Sequence, residues 1–324
     1  MKICIYGAGS IGGYMGAKLA AAGADVSFVA RGPHLAAMQE RGVRLQEEGV
    51  ERTVKVRCTS NPAELGPQDY LFITLKAHSV PAVVDAMQPL LGQDTAVVTG
   101  VNGIPYWYFH KYGGELSGTV LESVDPGGKQ WRGLGPERAI GCVLYPAAEI
   151  VAPGVIKHVY GKKFPIGEPS GERTPRIERL HAIMTEAGFD SPVREDIRDE
   201  IWLKLWGNLC FNPISALTHA TLDIIASDPG TRALARSMMV EAQAIAEKIG
   251  AHFRVGVERR IDGAGAVGAH KTSMLQDLEQ GRVMEIDPLL TVVQEMGGLV
   301  QMPTPTIDIV LALIKLRQRM ALGS

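Results

Sequence analysis

The chain is poor in cysteine. Cys4, Cys58, Cys142 and Cys210 are the four in 324 residues, and they lie far apart. With no CxxC pair and no Cys/His cluster, neither a zinc site nor a disulfide framework is indicated, and no metal is expected. Three of the four sit in apolar runs, as buried small hydrophobes do. Runs of one charge are also missing: 33 basic and 35 acidic residues leave a net −2, so nothing points to nucleic acid or a charged tail. No apolar stretch reaches the roughly 18 residues that would suggest a membrane span. Met1-Lys2 leads into a strand pattern broken by glycines, not into a signal peptide. A cytoplasmic protein with no membrane partner is therefore expected. Internal repeats and low-complexity segments are absent too. The length predicts a sizeable core and two domains.

What is present begins at the first residues. Lys2–Tyr6 reads as a short buried strand, followed by Gly7-Ala8-Gly9-Ser10-Ile11-Gly12 and a helical pattern over residues 14–22. In Gly7-x-Gly9-x-x-Gly12 the first glycine permits a tight turn off the strand. The second keeps side-chain atoms away from a pyrophosphate, and the third lets the helix pack closely on the strand. The helix start then offers free N–H groups to phosphates. A second strand, residues 24–30, ends at Arg31, 19 residues after Gly12. A dinucleotide site commonly has an acidic residue here for the ribose hydroxyls; a guanidinium suits a 2′-phosphate instead. NADP(H) is thus the expected cofactor. His34 is either an ordinary first-turn residue or an additional phosphate ligand.

Residues 33–41 form a predicted short helix, and residues 43–56 alternate as a hairpin does. The continuous apolar run of residues 70–75 reads as a parallel strand covered on both faces. Lys76 follows at its C-terminal end, where open α/β sheets bind ligands. A helix is predicted at 81–91 and a strand at 95–99. Asn102 lies just beyond that strand; its amide could meet a nicotinamide carboxamide or a substrate oxygen, or simply form an Asn-Gly turn. Tyr106, Trp107, Tyr108 and Phe109 either pack a helix against the sheet or wall the pocket. Strands are predicted at 140–145, 155–160 and 163–167, a helix at 175–188, and the end of the first domain near residue 195.

The remainder reads as helical, with segments at 199–211 (closed by Asn212-Pro213), 229–249, 257–263, 273–281, 288–296 and 306–320. Lys204, Asn208 and Asn212 are spaced i, i+4, i+8 and so share one helix face. Amides within an apolar helix are costly unless paired; a solvated stripe is the alternative. Ser273 either contacts substrate or caps a helix with Gln276. Glu285 is either functional or a surface acid. The apolar residues Met238, Val240, Ile245, Leu311, Leu313 and Leu316 pack internally or form a homodimer face.

Together, Gly7-x-Gly9-x-x-Gly12, Thr74-Leu75-Lys76-Ala77, Asn102-Gly103, Lys204-x3-Asn208-x3-Asn212-Pro213, Ser273-Met274-x2-Asp277 and Glu285-Ile286-Asp287, in that order, resemble the ketopantoate reductase (2-dehydropantoate 2-reductase) family across essentially the whole chain. The resemblance implies an α/β protein with an N-terminal Rossmann-type domain (residues 1–195) and an all-helical C-terminal domain (residues 196–324). It implies an NADP-dependent oxidoreductase acting on CH-OH, reducing ketopantoate to (R)-pantoate on the route to pantothenate and coenzyme A. A paralogous reductase of a different 2-oxo acid is the alternative. By resemblance, Lys204 is the catalytic lysine, Glu285 orients it and the substrate, and Asn208, Asn212 and Ser273 bind substrate hydroxyl and carboxylate groups. Asn102 links nicotinamide and substrate, Lys76 lies near both, and Arg31 selects the 2′-phosphate.

Overall fold

The apolar strands near the N-terminus pair side by side. In the computed structural model, which describes residues 1–323, β1 (Lys2–Tyr6), β2 (Asp25–Val29), β3 (Val43–Glu47), β4 (Val50–Val54), β5 (Arg57–Thr59), β6 (Gln68–Ile73), β7 (Leu91–Thr99), β8 (Ala139–Cys142), β9 (Ala147–Ala152), β10 (Val155–Tyr160) and β11 (Ile166–Gly167) fall into two sheets. The larger has the order β11-β8-β7-β6-β1-β2-β5, parallel throughout except β11, which runs antiparallel to β8. Its central strands are buried along nearly their whole length, as strands covered on both faces must be. After β1 the order runs outward to β2, and then resumes on the other side at β6. The C-terminal ends of β1 and β6 therefore flank the topological switch point.

Helices α1 (Ser10–Ala21), α2 (Gly32–Arg41), α3 (Val84–Met87), α4 (Lys129–Leu134) and α5 (Pro175–Glu186) belong to the same unit, residues 1–101, 105–120 and 125–197. The smaller sheet, β4-β3-β10-β9, covers α1. Tyr14 of α1 stacks on His158 of β10 at 4.5 Å, and Lys18 reaches Glu47 of β3 at 3.0 Å. The predicted hairpin at 43–56 is thus present, in the smaller sheet, where β3 also pairs with β10.

The second unit comprises residues 102–104, 121–124 and 198–324. Its helices are α6 (Ile197–Thr218), α7 (Leu222–Ser227), α8 (Pro229–Lys248), α9 (Val257–Gly265), α10 (Ser273–Glu279), α11 (Val292–Leu299) and α12 (Pro305–Leu322). Trp202, Trp206, Leu209, Met238, Met239, Ile245 and Val293 are fully buried in it, and the Trp206 indole N–H donates to the Met239 carbonyl at 2.7 Å. No helix among the described residues is long and apolar enough to cross a membrane.

Local departures from the sequence reading have local causes. The helix expected at 81–91 is broken into α3 between tight turns at Pro81–Val83 and Gln88–Leu90; Pro89, inside the expected helix, has no N–H to donate. The first helix starts at Ser10, not at residue 14. Conversely, Asn212-Pro213 does not close the helix expected at 199–211: α6 continues to Thr218 with Pro213 inside it. An interior proline costs about 3 kcal/mol, but Leu209, Cys210, Phe211 and Ile214 are all buried around it, each worth about 1.5–3 kcal/mol for an aliphatic or aromatic side chain, so burial wins. Residues 106–109 form turns. Their rings are core: Trp107 Nε1 donates to Thr99 Oγ1 at 2.8 Å and the Tyr106 hydroxyl to the Gly135 carbonyl at 3.1 Å. Of the six apolar residues singled out for internal packing or dimerisation, Met238, Ile245 and Leu311 are buried, whereas Val240, Leu313 and Leu316 are exposed.

Candidate functional site

In the first unit, the glycine turn sits at the switch point. Gly7 has φ +109°, and a Cβ there would press on Leu75. At Gly12 a Cβ would collide with the Gly7 carbonyl and the Thr74 hydroxyl. Thr74, at the end of β6, donates to that same carbonyl at 2.7 Å, so the turn is locked to the neighbouring strand. Gly9 differs from both: a Cβ built on it meets nothing within 4 Å. Its constraint is the open space before it, as the approach of a pyrophosphate requires. Gly9 is also the N-cap of α1, with no side-chain cap and no acid in the first turn. The N–H groups of Ser10, Ile11 and Gly12 thus start a helix whose positive end is not neutralised, which suits an anion. Ala8 is buried in the turn.

Arg31 follows β2, the strand next to β1, and stands exposed as the N-cap of α2. Its charge is felt by the Tyr6 phenol, which burial otherwise pushes upward. His34 does not point outward as a ligand would: its Nδ1 accepts the Gly154 N–H at 3.0 Å. Lys76 is half-buried at the C-terminal end of β6, opening the short turn Ala77–Ser79. These groups suit a phosphorylated dinucleotide, with room at Gly9 and positive charge at α1 and Arg31.

The second unit holds the polar chemistry. Lys204, in the second turn of α6, donates from Nζ to Asn102 Oδ1 at 2.8 Å. Asn102 Nδ2 donates in turn to Glu285 Oε2 at 2.9 Å. The three residues form one chain of hydrogen bonds from cation to amide to acid. Glu285 is 5% exposed and so is no surface acid. A cation at one end and a carboxylate at the other make the contacts charge-assisted. The approach to Glu285 is itself fixed: Asp277 pairs with Arg282 at 2.9 Å, and the Met284 N–H donates to Gln318 Oε1 of α12 at 2.7 Å.

Asn208 and Asn212 continue the Lys204 face of α6, half-buried and buried respectively. Among the described residues, no hydrogen bond joins either side chain, or that of Ser273, to a protein partner. Ser273 is exposed at the start of α10, and the cap of that helix is Thr272, whose hydroxyl accepts the Leu275 N–H at 3.3 Å. Gln276 reaches the Lys271 carbonyl instead. The capping role open to Ser273 in the sequence thus falls to its neighbour. Sequence reasoning assigned no role to Thr74 or to Glu295. Thr74 ends an apolar strand beside the glycine turn, a detectable signal. Glu295 accepts the N–H groups of Glu122 and Ser123 at 2.7 and 2.9 Å, and nothing local announced it. Among the described residues no cluster could hold a metal ion.

A doubly wound parallel sheet with a glycine turn at its switch point, followed by a helical unit carrying a Lys–Asn–Glu chain, defines a two-domain dinucleotide-binding protein of the α/β class. More particularly, the chain belongs to the ketopantoate reductase family: residues 3–171 match the family model "Ketopantoate reductase PanE/ApbA" and residues 196–318 its C-terminal counterpart. The 2-dehydropantoate 2-reductase of Mesorhizobium japonicum is 61% identical over 97% of each chain. A solved structure from Ralstonia solanacearum MolK2, described provisionally as a ketopantoate reductase, superposes with TM-score 0.94 at 40% identity over 98% of both chains. D-mandelate dehydrogenase, solved with NADH, shares the fold with TM-score 0.82 at 20% identity, covering 99% of both chains.

Proposed function

We propose that the protein is an NADP(H)-dependent oxidoreductase that reduces the 2-oxo group of ketopantoate to (R)-pantoate, a step toward pantothenate and coenzyme A. The observation that carries this reading is the Lys204–Asn102–Glu285 chain in a member of this family. When bound, the nicotinamide supplies a hydride to the carbonyl carbon. Gly7 to Gly12, Arg31 and Lys76 would hold the cofactor, Asn102 would link nicotinamide and substrate, and residues 196–324 would bind the substrate and supply the proton.

The Lys204 ammonium donates to the ketone oxygen and gives it a proton as negative charge develops there. A charged donor aimed at a developing alkoxide is worth several kcal/mol, and proton transfer adds about 10²–10⁴ in rate. Asn102 holds the ammonium on one side through its carbonyl oxygen, which fixes the direction from which the lysine reaches the substrate. Glu285 balances the lysine's charge and fixes the amide's orientation. Asn208 and Asn212, whose side chains have no hydrogen-bond partner among the described residues, offer donors and acceptors to the substrate's carboxylate and hydroxyl; Ser273 adds a hydroxyl. The test is NADPH oxidation with ketopantoate and a panel of other 2-oxo acids. Turnover of ketopantoate far above the rest is expected; preference for another acid would make the protein a paralogous reductase.

For assembly, we propose a homodimer. Ile309, Leu313, Leu316 and Met320 are exposed on α12 and their spacing of four, three and four residues lines them up in one stripe. A dimeric ketopantoate reductase from Staphylococcus aureus has the same fold, with TM-score 0.74. Light scattering on the wild type and on Leu313→Lys tests this; a wild-type monomer would refute it.

A further inference from the structure

The orientation of Asn102 depends on what lies behind it. Residues 102–104 belong to the helical unit, and their backbone is seated on a turn of unusual geometry. Asp287–Thr291 forms a wide π-helical turn, in which Val292 N–H bonds the Asp287 carbonyl five residues back. The Pro288 carbonyl in this turn accepts the Ile104 N–H at 3.3 Å. Between them is Gly103, with φ +84°. A Cβ at Gly103 would overlap the Pro288 carbonyl oxygen, and would lie 2.6 Å from the Pro288 carbonyl carbon and 3.0 Å from its Cβ. Neither the backbone conformation nor the space admits another residue. Glu285 lies three residues before Pro288, so the same stretch of chain supplies both the acid and the seat.

We propose that Gly103 and Pro288 are positioning residues: their backbone contact sets Asn102 between Lys204 and Glu285, and hence the aim of the proton donor. The inference rests on the reading of that chain as the reduction site. π-turns recur at functional sites, and this one places a carbonyl where a loop from far along the sequence must dock. The seat is assigned a positioning role, with no contact of its own to the reacting groups. It acts through the amide, whose carbonyl must face the ammonium and whose NH₂ must face the carboxylate. A displacement of about 1 Å at such a group costs about 10²-fold in rate.

The decisive experiment is a double-mutant cycle on kcat. Gly103→Ala is expected to lower kcat for ketopantoate about 10²-fold, with KM for NADPH changed far less, because Gly7 to Gly12 and Arg31 still hold the cofactor. In an Asn102→Ala background the same substitution should cost almost nothing, because the group it misplaces is gone. Gly113→Ala is the control: Gly113 has the same φ of +84°, but a Cβ there meets nothing within 4 Å, so kcat should hold. Equal losses from Gly103→Ala with and without Asn102 would show a general structural role and overturn the proposal, as would an unimpaired Gly103→Ala. Should Gly103→Ala not fold, Pro288→Gly removes ring atoms and adds none. It should lower kcat while sparing KM for NADPH, and unchanged kcat there would also overturn the seat. A wild type inert with every 2-oxo acid would overturn the reduction reading itself. An active wild type with insensitive variants overturns only the positioning claim.

Discussion

Lys204 and Asn102 are 102 residues apart in sequence and 2.8 Å apart in space, the ammonium donating to the amide oxygen. The amide's other end donates to Glu285, so its orientation follows from the charges on either side. Asn102→Asp keeps the shape and replaces that donor with a second acceptor facing Glu285. Two carboxylates so close raise the pKa of one of them. We expect kcat to fall by about 10² or more and the surviving activity to shift toward acid pH, where one of the pair holds a proton. The pH profile of kcat is the measurement; an unshifted profile would argue that the Asn102–Glu285 bond is incidental.

Removing the cation should be more severe. Lys204→Ala is expected to lower kcat by about 10²–10⁴ while NADPH binding, followed by cofactor fluorescence, is retained. Lys204→Arg should not restore full activity, since a guanidinium keeps the charge but gives up a proton far less readily. An alanine variant with wild-type turnover would refute the assigned mechanism.

Arg31 is exposed at the end of β2, so its replacement should leave stability nearly unchanged. Hydrogen bonds to charged groups contribute about 1.5–3 kcal/mol. Arg31→Ala should therefore lower kcat/KM for NADPH by about 10–100-fold and leave that for NADH almost untouched. Steady-state kinetics with both cofactors decide the matter. Equal losses with both would mean that Arg31 does not distinguish them.

These expectations differ in how much of their basis the sequence displays. The glycine turn was readable because each glycine answers a constraint within a few residues or one strand away. Lys204, Asn208 and Asn212 were readable as one face because helical periodicity is local. That Pro213 continues α6 was not, because tertiary burial overrides a local breaker. The neighbours of Asn102 were out of reach of spacing arguments: Lys204 and Glu285 meet it only once the helices pack, and resemblance rather than periodicity named the three together. The Pro288 seat was invisible for the same reason, since the residue that forbids a side chain at Gly103 lies far along the chain.

The thiols give an independent check on burial. Burial pushes Cys4 and Cys210 up to about 12 and Cys58 up to about 11, and all four cysteines are free and buried. Since the thiolate is the reactive form, the native protein should react with a disulfide reagent orders of magnitude more slowly than the denatured chain, with no loss of turnover. Rapid labelling of a native thiol with inactivation would contradict the packing around it.

His34 supplies a pH dependence of known sign. Its Nδ1 accepts the Gly154 N–H, which only an imidazole unprotonated at that nitrogen can do. Burial holds its pKa below the ordinary 6.5, with the Ala8 carbonyl opposing the shift. Between the depressed folded value and 6.5 the unfolded chain binds the proton more readily, so stability rises with pH across that window. The contribution is present above the window and lost as pH falls through the folded value, when His34 must gain a charge and give up its acceptor. Thermal unfolding from about pH 7 down to about pH 5 should therefore show a falling Tm. His34→Gln offers Gly154 an acceptor that does not titrate, so its Tm should fall less over the same range. An identical fall in the two proteins would mean that other groups govern the acid limb and that the Gly154 bond survives protonation.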